Sequence, residues 1–107
     1  MNSFAIGVDL GGTNLRIAAV DAEGRVLDRF STDADVARGR DYVLDEMCRN
    51  VRIMAAKFNG AHHMAGIGIG VPGIIDQRTG LVHESPNLPG WQNYPARDEI
   101  ERRSFDS

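Results

Sequence analysis

Two short apolar runs on either side of a glycine pair constrain the fold of this chain more than any other feature. The runs cover residues 4–8 and 15–20, and each has the length and apolar content of a β-strand. Between them lies the hexapeptide Asp-Leu-Gly-Gly-Thr-Asn at positions 9–14. The glycine pair marks a tight turn, so the chain is predicted to begin with a hairpin.

The residues of this turn have the chemistry of a phosphate-binding loop. Glycines let backbone N–H groups approach an anion closely, because no Cβ is in the way. Thr13 adds a hydroxyl donor, and Asp9 is the kind of carboxylate that holds a hydrated Mg²⁺, directly or through water. An ordinary glycine hairpin has the same composition, so the turn by itself is a weak signal.

Length and composition exclude several classes of protein. The 107 residues have room for one domain, and the net charge of −3 gives no electrostatic reason to expect nucleic acid or an anionic membrane as a partner. No apolar run approaches the ~20 residues of a membrane span. The N-terminus lacks the basic region and apolar core of a signal peptide. The single cysteine, Cys48, rules out an internal disulfide and a four-cysteine zinc site, and it favours a reducing, cytoplasmic setting.

The middle of the chain predicts a third strand and a long helix. Residues 25–32 alternate in polarity and complete a predicted antiparallel meander. Residues 41–58 carry apolar side chains at steps of three and four, with Asp41 to cap or charge the N-terminus and Asn59-Gly60 to end the helix. The predicted buried stripe consists of Leu44, Met47, Cys48, Val51, Met54, Ala55 and Phe58.

The second half of the chain predicts a parallel strand, a small hairpin and a second helix. Glycine alternates with apolar residues over 64–71, which predicts a strand that packs closely against the helix, with direct contact to a ligand as the alternative. His62 and His63 are expected in an exposed connection before it. A hairpin over 74–82 and a helix over 94–103 follow, with Trp91 anchoring a local apolar cluster. The strand–helix–strand order predicts a right-handed parallel crossover, and hence a mixed-sheet α/β fold.

Three motifs in this order resemble the N-terminal lobe of ROK-family sugar kinases, most closely the bacterial glucokinases. They are residues 9–14, Gly-Ile-Gly-Val-Pro-Gly at 68–73, and Ser-Pro-Asn-Leu-Pro-Gly-Trp at 85–91. The resemblance extends over essentially all 107 residues. It implies a ribonuclease-H-like lobe of the actin/hexokinase superfamily, with residues 1–107 as a single N-terminal lobe and the C-terminal lobe absent.

The resemblance assigns candidate roles only to positions that match the family's motifs. On the nucleotide side, it implies that the turn faces the phosphates of ATP, and that Asp9 holds Mg²⁺, directly or through water. The matching positions are Asp9, Gly11, Gly12, Thr13 and Asn14. On the sugar side, it implies that Gly73 belongs to a turn beside the sugar, and that Asn87, with Leu88, presents an amide to the sugar hydroxyls.

Several parts of a complete ROK kinase are missing from the sequence. The family's general base is the aspartate of a Glu-Asn-Asp-Ala-Asn motif, and no such run occurs before Ser107. No catalytic residue is therefore assigned within the chain. The zinc motif of the family is also missing. We expect the chain to be a fragment of an ATP-dependent hexose kinase, inactive by itself, with glucose as the leading substrate.

Two other functions stay open from the sequence. ROK members include sugar-responsive repressors, although the first predicted strand begins so near Met1 that no DNA-binding segment is expected before it. A non-catalytic lobe that acts as a binding or assembly module is the second alternative. The phosphoryl donor is ATP by resemblance, with polyphosphate as the open alternative. A lobe separated from its partner is predicted to expose apolar surface and to self-associate, as a homodimer for example.

Overall fold

A four-stranded mixed sheet is the centre of the fold, and one of its faces is covered by a long helix. The computed structural model describes residues 2–60, 62–70, 74–76, 78–84 and 90–105. The elements are β1 (Asn2–Leu10), β2 (Asn14–Asp21), β3 (Val26–Asp33), a short 3-10 turn (Val36–Arg38), α1 (Arg40–Phe58), β4 (His62–Gly70), β5 (Ile74–Asp76), β6 (Leu81–Glu84) and α2 (Ala96–Phe105).

The sheet has the strand order β3-β2-β1-β4. The pairs β1–β2 and β2–β3 are antiparallel and form the predicted meander. Strand β4 pairs with β1 in parallel, so α1 is the predicted crossover connection. Strands β5 and β6 form a separate antiparallel hairpin. The mixed α/β architecture expected from the sequence is thereby confirmed.

Alternating residues of β1 and β2 meet the apolar stripe of α1 in the core. The buried side chains of the hairpin are Phe4, Ile6, Val8, Leu10, Leu15, Ile17 and Ala19. The predicted helical stripe is confirmed, since its members from Leu44 to Ala55 are buried and Phe58 is partly buried against them. Cys48 is 1% exposed and serves as core filling.

At the start of α1, Asp41 takes the second of its two predicted roles, as an acidic residue in the first turn, and does not cap the helix. Gly39 occupies the N-cap position with φ 103°, and no side chain caps the helix there. Asp41 lies in the first turn and accepts a hydrogen bond of 2.9 Å from Arg103 of α2. That hydrogen bond holds the pKa of Asp41 below its usual value. The carboxylate therefore links the two helices instead of capping one of them.

Two predictions about β4 and α2 are wrong in their boundaries. His62 and His63 do not lie in a connection, because they begin β4 and pair with Asn2 and Ser3. Tyr94 does not begin α2, because its N–H donates to the carbonyl of Val82 and its carbonyl accepts from the Val82 N–H. The helix therefore starts two residues later, at Ala96.

The second face of the sheet is bare among the described residues, and we call it the open face. It is formed by the residues that alternate along the strands with the core residues, namely Ala5, Gly7, Asp9, Arg16, Ala18, Gly66, Gly68 and Gly70. The predicted close packing of the β4 glycines against the helix is wrong. A Cβ at Gly66 or Gly68 would meet nothing within 4 Å, since α1 packs on the other face.

The predicted role of Trp91 as an anchor is confirmed. Its side chain is 1% exposed, and its ring meets that of Tyr94 edge-on with centroids 5.8 Å apart. Across the part of the chain described, neither helix is both long and apolar enough to span a bilayer.

Candidate functional site

The β1–β2 turn is tight and exposes the groups that the sequence singled out. The Gly11 N–H donates to the Asn14 carbonyl at 2.8 Å, and the Ala34 N–H donates to the Thr13 carbonyl at 2.9 Å. The second bond fixes the turn to the chain that leaves β3. Thr13 and Asn14 are exposed, so their polar side chains are accessible to a ligand.

The glycines of the turn act through the absence of a side chain and not through an unusual backbone conformation. Positive φ occurs at Gly24, Gly39, Gly80 and Gly90 among the described glycines, but not at Gly11 or Gly12. Because the Gly11 N–H is taken up by the Asn14 carbonyl, the backbone donors that an anion could approach are those of Gly12 and Thr13, where no Cβ of the glycine pair is in the way.

Asp9 is the last residue but one of β1 and lies on the open face, beside this turn. Its carboxylate is exposed, and no ion pair or hydrogen bond involves it within the described ranges. The neighbouring position on β4 is Gly70, where a Cβ would lie 3.9 Å from Asp9 Oδ1. The space beside the carboxylate is therefore kept free by a glycine.

The arrangement around Asp9 fits a hydrated Mg²⁺ held jointly with a phosphate. Proteins bind Mg²⁺ through one or two carboxylates plus substrate phosphates and retained waters, and not through a full protein cage. Among the described residues, no three histidine, cysteine or acidic side chains lie close enough together to form such a cage. A single accessible carboxylate next to an amide-lined turn has the required chemistry.

Two arginines that the sequence analysis did not assign lie on the same side of the sheet. Arg16 is the direct partner of Asp9 across the β1–β2 pair, and Arg29 is the partner of Ala18 across the β2–β3 pair. Both border a concavity of about 720 Å³ that Asp9 and Gly68 also line. Strand alternation could have predicted the position of Arg16. A hairpin that pairs residue 10 with residue 15 also pairs residue 9 with residue 16, and paired residues lie on the same face of the sheet.

The candidate residues on the sugar side cannot be located in the structure. Gly73, Asn87 and Leu88 all lie outside the described residues. Their assignment stays a prediction. The described residues nearest to Asn87 along the chain are Glu84 and Gly90, and Gly90 has φ 88° and precedes the buried Trp91.

Comparison with known proteins gives consistent matches over almost the whole chain. The glucokinase of Thermotoga maritima is 34% identical over 99 residues, which is 92% of this chain and 30% of that protein. The xylose repressor of Caldicellulosiruptor bescii is 34% identical over 104 residues, which is 92% of this chain and 25% of that protein. The chain thus spans only about a third or less of the relatives it matches.

A solved structure agrees with these relatives. The crystal structure of a ROK family glucokinase from Streptomyces griseus, in complex with glucose and AMPPNP, superposes with a TM-score of 0.75 at 31% identity. The match covers 94% of this chain and 30% of that chain. The predicted ribonuclease-H-like, actin/hexokinase-type fold is confirmed by this match. Because the ROK family itself matches residues 5–105, this chain belongs to the ROK family.

Proposed function

We propose that residues 1–107 form the N-terminal lobe of an ATP-dependent hexose kinase, with glucose as the leading substrate. The observation that carries the proposal is the exposed Asp9 carboxylate beside an accessible glycine turn, in a chain that matches glucokinases over 92% of its length. The S. griseus relative binds glucose and AMPPNP, a combination that suits phosphoryl transfer from a nucleotide to a sugar. The lone buried Cys48 also favours a cytoplasmic location.

In this proposal, the turn holds the donor phosphates. The missing side chains of Gly11 and Gly12 let phosphate oxygens approach the backbone donors that the turn does not use internally, and Thr13 and Asn14 add side-chain donors. Asp9 holds a hydrated Mg²⁺, whose contribution is to neutralise the charge that develops on the transferred phosphoryl group. Arg16 lies across from Asp9 and adds positive charge on the same side of the sheet.

The acceptor side of the reaction is shared with residues beyond this chain. Asn87 offers an amide that both donates to and accepts from sugar hydroxyls, and Leu88 and Gly73 are assigned to the same side of the reaction by the resemblance. The general base that takes the hydroxyl proton belongs to a motif that the chain lacks. Closure of a second lobe over the turn would exclude water, which otherwise competes with the sugar as phosphoryl acceptor.

A sugar-responsive regulator is the second candidate, because the C. bescii xylose repressor is as similar as the T. maritima glucokinase, at 34% identity. The two candidates differ in what they require of Asp9. A kinase needs the carboxylate for Mg²⁺ and phosphate, whereas a regulator that only senses a sugar does not. Sugar binding that is insensitive to Asp9→Asn, in a protein without kinase activity, would favour the regulator.

A coupled assay of glucose 6-phosphate formation tests the proposal. We expect the full-length protein to turn over glucose with Mg-ATP, and the 107-residue chain to show no turnover, because it lacks the base. Replacing ATP with inorganic polyphosphate in a parallel reaction identifies the donor. Turnover by the 107-residue chain would contradict its assignment as half of a site. A full-length protein inactive on every hexose would contradict the kinase itself.

We further expect the 107-residue chain to self-associate through the open face. Four of its residues, Ala5, Gly7, Gly66 and Gly68, are small and exposed, so another surface can approach the strands closely. Strand β3 at one edge of the sheet adds Val26, which is 46% exposed. Sedimentation velocity at rising concentration should show a dimer or larger species. A monomer throughout the concentration series would contradict this expectation.

A further inference from the structure

Strand β3 is one edge of the four-stranded sheet, and no described strand pairs with its outer side. Its sequence contains neither proline nor lysine, the residues that most often protect an exposed edge. It also carries Phe30, a large apolar side chain that is 43% exposed. A strand edge of this kind is a template for pairing with another strand.

The backbone groups that point outward from β3 follow from its pairing with β2. The Ala34 N–H donates to the Thr13 carbonyl at 2.9 Å, so residue 34 directs its backbone groups toward β2. Along an antiparallel strand, these groups point alternately to one side and to the other. The residues at odd positions, Arg29, Ser31 and Asp33, therefore direct their N–H and carbonyl groups outward, away from β2.

The hydrogen bond of the Arg29 N–H agrees with this orientation. The group donates at 2.8 Å to Oδ1 of Asp28, the preceding residue, and not to a carbonyl of β2. Such a local bond satisfies an outward donor where no neighbouring strand is present. Pairing with another strand would replace it, and Asp28 would keep its 2.7 Å ion pair with Lys57 through Oδ2.

The three outward residues carry complementary charges at their two ends. Arg29 is exposed, and within the described ranges its guanidinium has no ion pair. Asp33 is exposed as well, and its Oδ1 accepts a 3.0 Å hydrogen bond from the Asp35 N–H, which leaves Oδ2 available. Ser31 lies midway between them. Two such strands in antiparallel orientation can place each arginine opposite an aspartate.

The regular part of β3 is limited at both ends. The register between β2 and β3 shifts between Ala19 and Val20, so Leu27 is an extra, bulged residue, and regular pairing begins at Asp28. At the other end, Asp35 has a left-handed φ of 53° and leaves the strand. A partner strand that needs a straight edge is thereby confined to residues 28–34.

A twofold axis at Ser31 is the register that fits these limits. It pairs Ser31 with its own copy and Arg29 with Asp33 of the second copy, twice by symmetry. The paired residues 29–33 all lie in the regular part. An axis at Arg29 would set that residue opposite itself, and like charges in that position destabilise a strand pair. An axis at Phe30 would bring the bulged Leu27 into the ladder.

We propose that β3 is the interface of a homodimer, in which two copies of the full-length protein pair antiparallel along residues 29–33. The two sheets then become continuous. Phe30 shares the helix side of the sheet with its partner Ile17. In the dimer it lies opposite Thr32 of the second copy and diagonal to Phe30 of that copy, which covers the exposed ring. The interface uses the edge of the sheet and not the open face, and it does not depend on the proposed kinase function.

A charge exchange in the full-length protein tests the register. We expect the wild type to be a dimer in sedimentation equilibrium, and Arg29→Asp to raise its Kd about tenfold, because carboxylates then oppose each other at both ends of the ladder. Asp33→Arg should have a similar effect. The double variant Arg29→Asp/Asp33→Arg restores opposite charges, so its Kd should return to within about threefold of the wild type.

Arg78→Asp is the matched control. Arg78 is also exposed and also without an ion pair in the described part of the chain, but it lies in the turn of the β5–β6 hairpin. The substitution changes the net charge equally and should leave the Kd unchanged. An equal rise for Arg78→Asp and Arg29→Asp would overturn the proposal. A double variant as weak as the single variants would also overturn it, because Arg29 and Asp33 would then not be partners.

A second measurement locates the axis without changing any charge. In the proposed dimer, the Cα atoms of the two Ser31 residues are about 5.5 Å apart, so a short bismaleimide should link Ser31→Cys into a covalent dimer. Val26→Cys is the control on the same strand. Val26 is 46% exposed, but its two copies would lie about 34 Å apart, at about 3.4 Å per residue.

The wild type, in which Cys48 is buried, gives the background of the linking reaction. Linking well above this background in Ser31→Cys, and not in Val26→Cys, would support the axis at Ser31. Equal linking of the two variants, or none in Ser31→Cys, would overturn it. A wild-type protein that stays monomeric at every concentration would overturn the homodimer itself.

Discussion

Replacing Asp9 with asparagine in the full-length protein is expected to lower kcat for hexose phosphorylation about 100-fold. The substitution removes a charge that holds hydrated Mg²⁺ against the donor phosphates. Such an interaction is worth several kcal/mol in the transition state, and about 1.4 kcal/mol corresponds to a factor of ten in rate. Steady-state assays over a Mg²⁺ series measure the effect. A rise in the Mg²⁺ concentration needed for half-maximal rate should accompany the loss.

The fold itself should tolerate Asp9→Asn. Asp9 is exposed and has no ion pair in the described part of the chain, so no internal partner loses its contact. Glu101→Gln is the matched control, since Glu101 is an exposed carboxylate on α2, away from the turn. We expect it to keep wild-type kcat. Equal activity of the Asp9→Asn and wild-type proteins would show that the turn does not serve a metal–phosphate complex.

The parts of the fold that local patterns encode were predictable from the sequence. The period of three and four in α1 predicted its buried stripe, because that period decides which side chains share a face of a helix. The glycine turn between two apolar runs likewise predicted the β1–β2 hairpin, because a tight turn and its flanking strands are encoded in one short stretch of sequence. Its ends shifted by only one or two residues, as strand ends are set by pairing with neighbours and not by the residues alone.

Features that depend on which face meets which partner were not predictable. The alternating glycines of β4 are compatible with close packing and with a bare face alike. The register of β4 against β1 decides between these two possibilities. It places Gly66 and Gly68 on the same face as Gly7, while α1 packs on the opposite face. Likewise, Asp41 has the composition of a helix cap but is attracted to Arg103, a residue 62 positions later in the chain.

The residues of the candidate site also fall into those that the sequence predicts and those that only the fold reveals. The nucleotide side is one continuous stretch, residues 9–14, so its residues were predictable together from their order. Arg16 follows from the register of β1 and β2. Arg29 depends on the pairing of β2 with β3, whose register shifts between Ala19 and Val20, and no pattern in the sequence predicts that shift. The sugar-side residues Asn87 and Leu88 rest on the resemblance alone.

Truncating Leu44 to alanine should cause a large loss of stability. Leu44 is 0% exposed and lies on the face of α1 that meets the sheet. Removing its isopropyl group costs both the transfer free energy of that group and the free energy of the cavity left behind, about 3 kcal/mol for buried leucines. A small domain has only about 5–15 kcal/mol of unfolding free energy in total. Urea denaturation of the 107-residue chain, followed by circular dichroism, measures the difference.

Ile53→Ala is the control that separates core packing from helix propensity. Ile53 belongs to the same helix but is 47% exposed, on the side away from the sheet. Because alanine also forms helices better than isoleucine does, the substitution should change the unfolding free energy by less than about 0.5 kcal/mol. A comparable loss in both variants would contradict the packing of α1 on one sheet face, since it would require that both sides of the helix be buried. A loss confined to Leu44→Ala would support it, and with it the open second face on which Asp9 and Arg16 lie together.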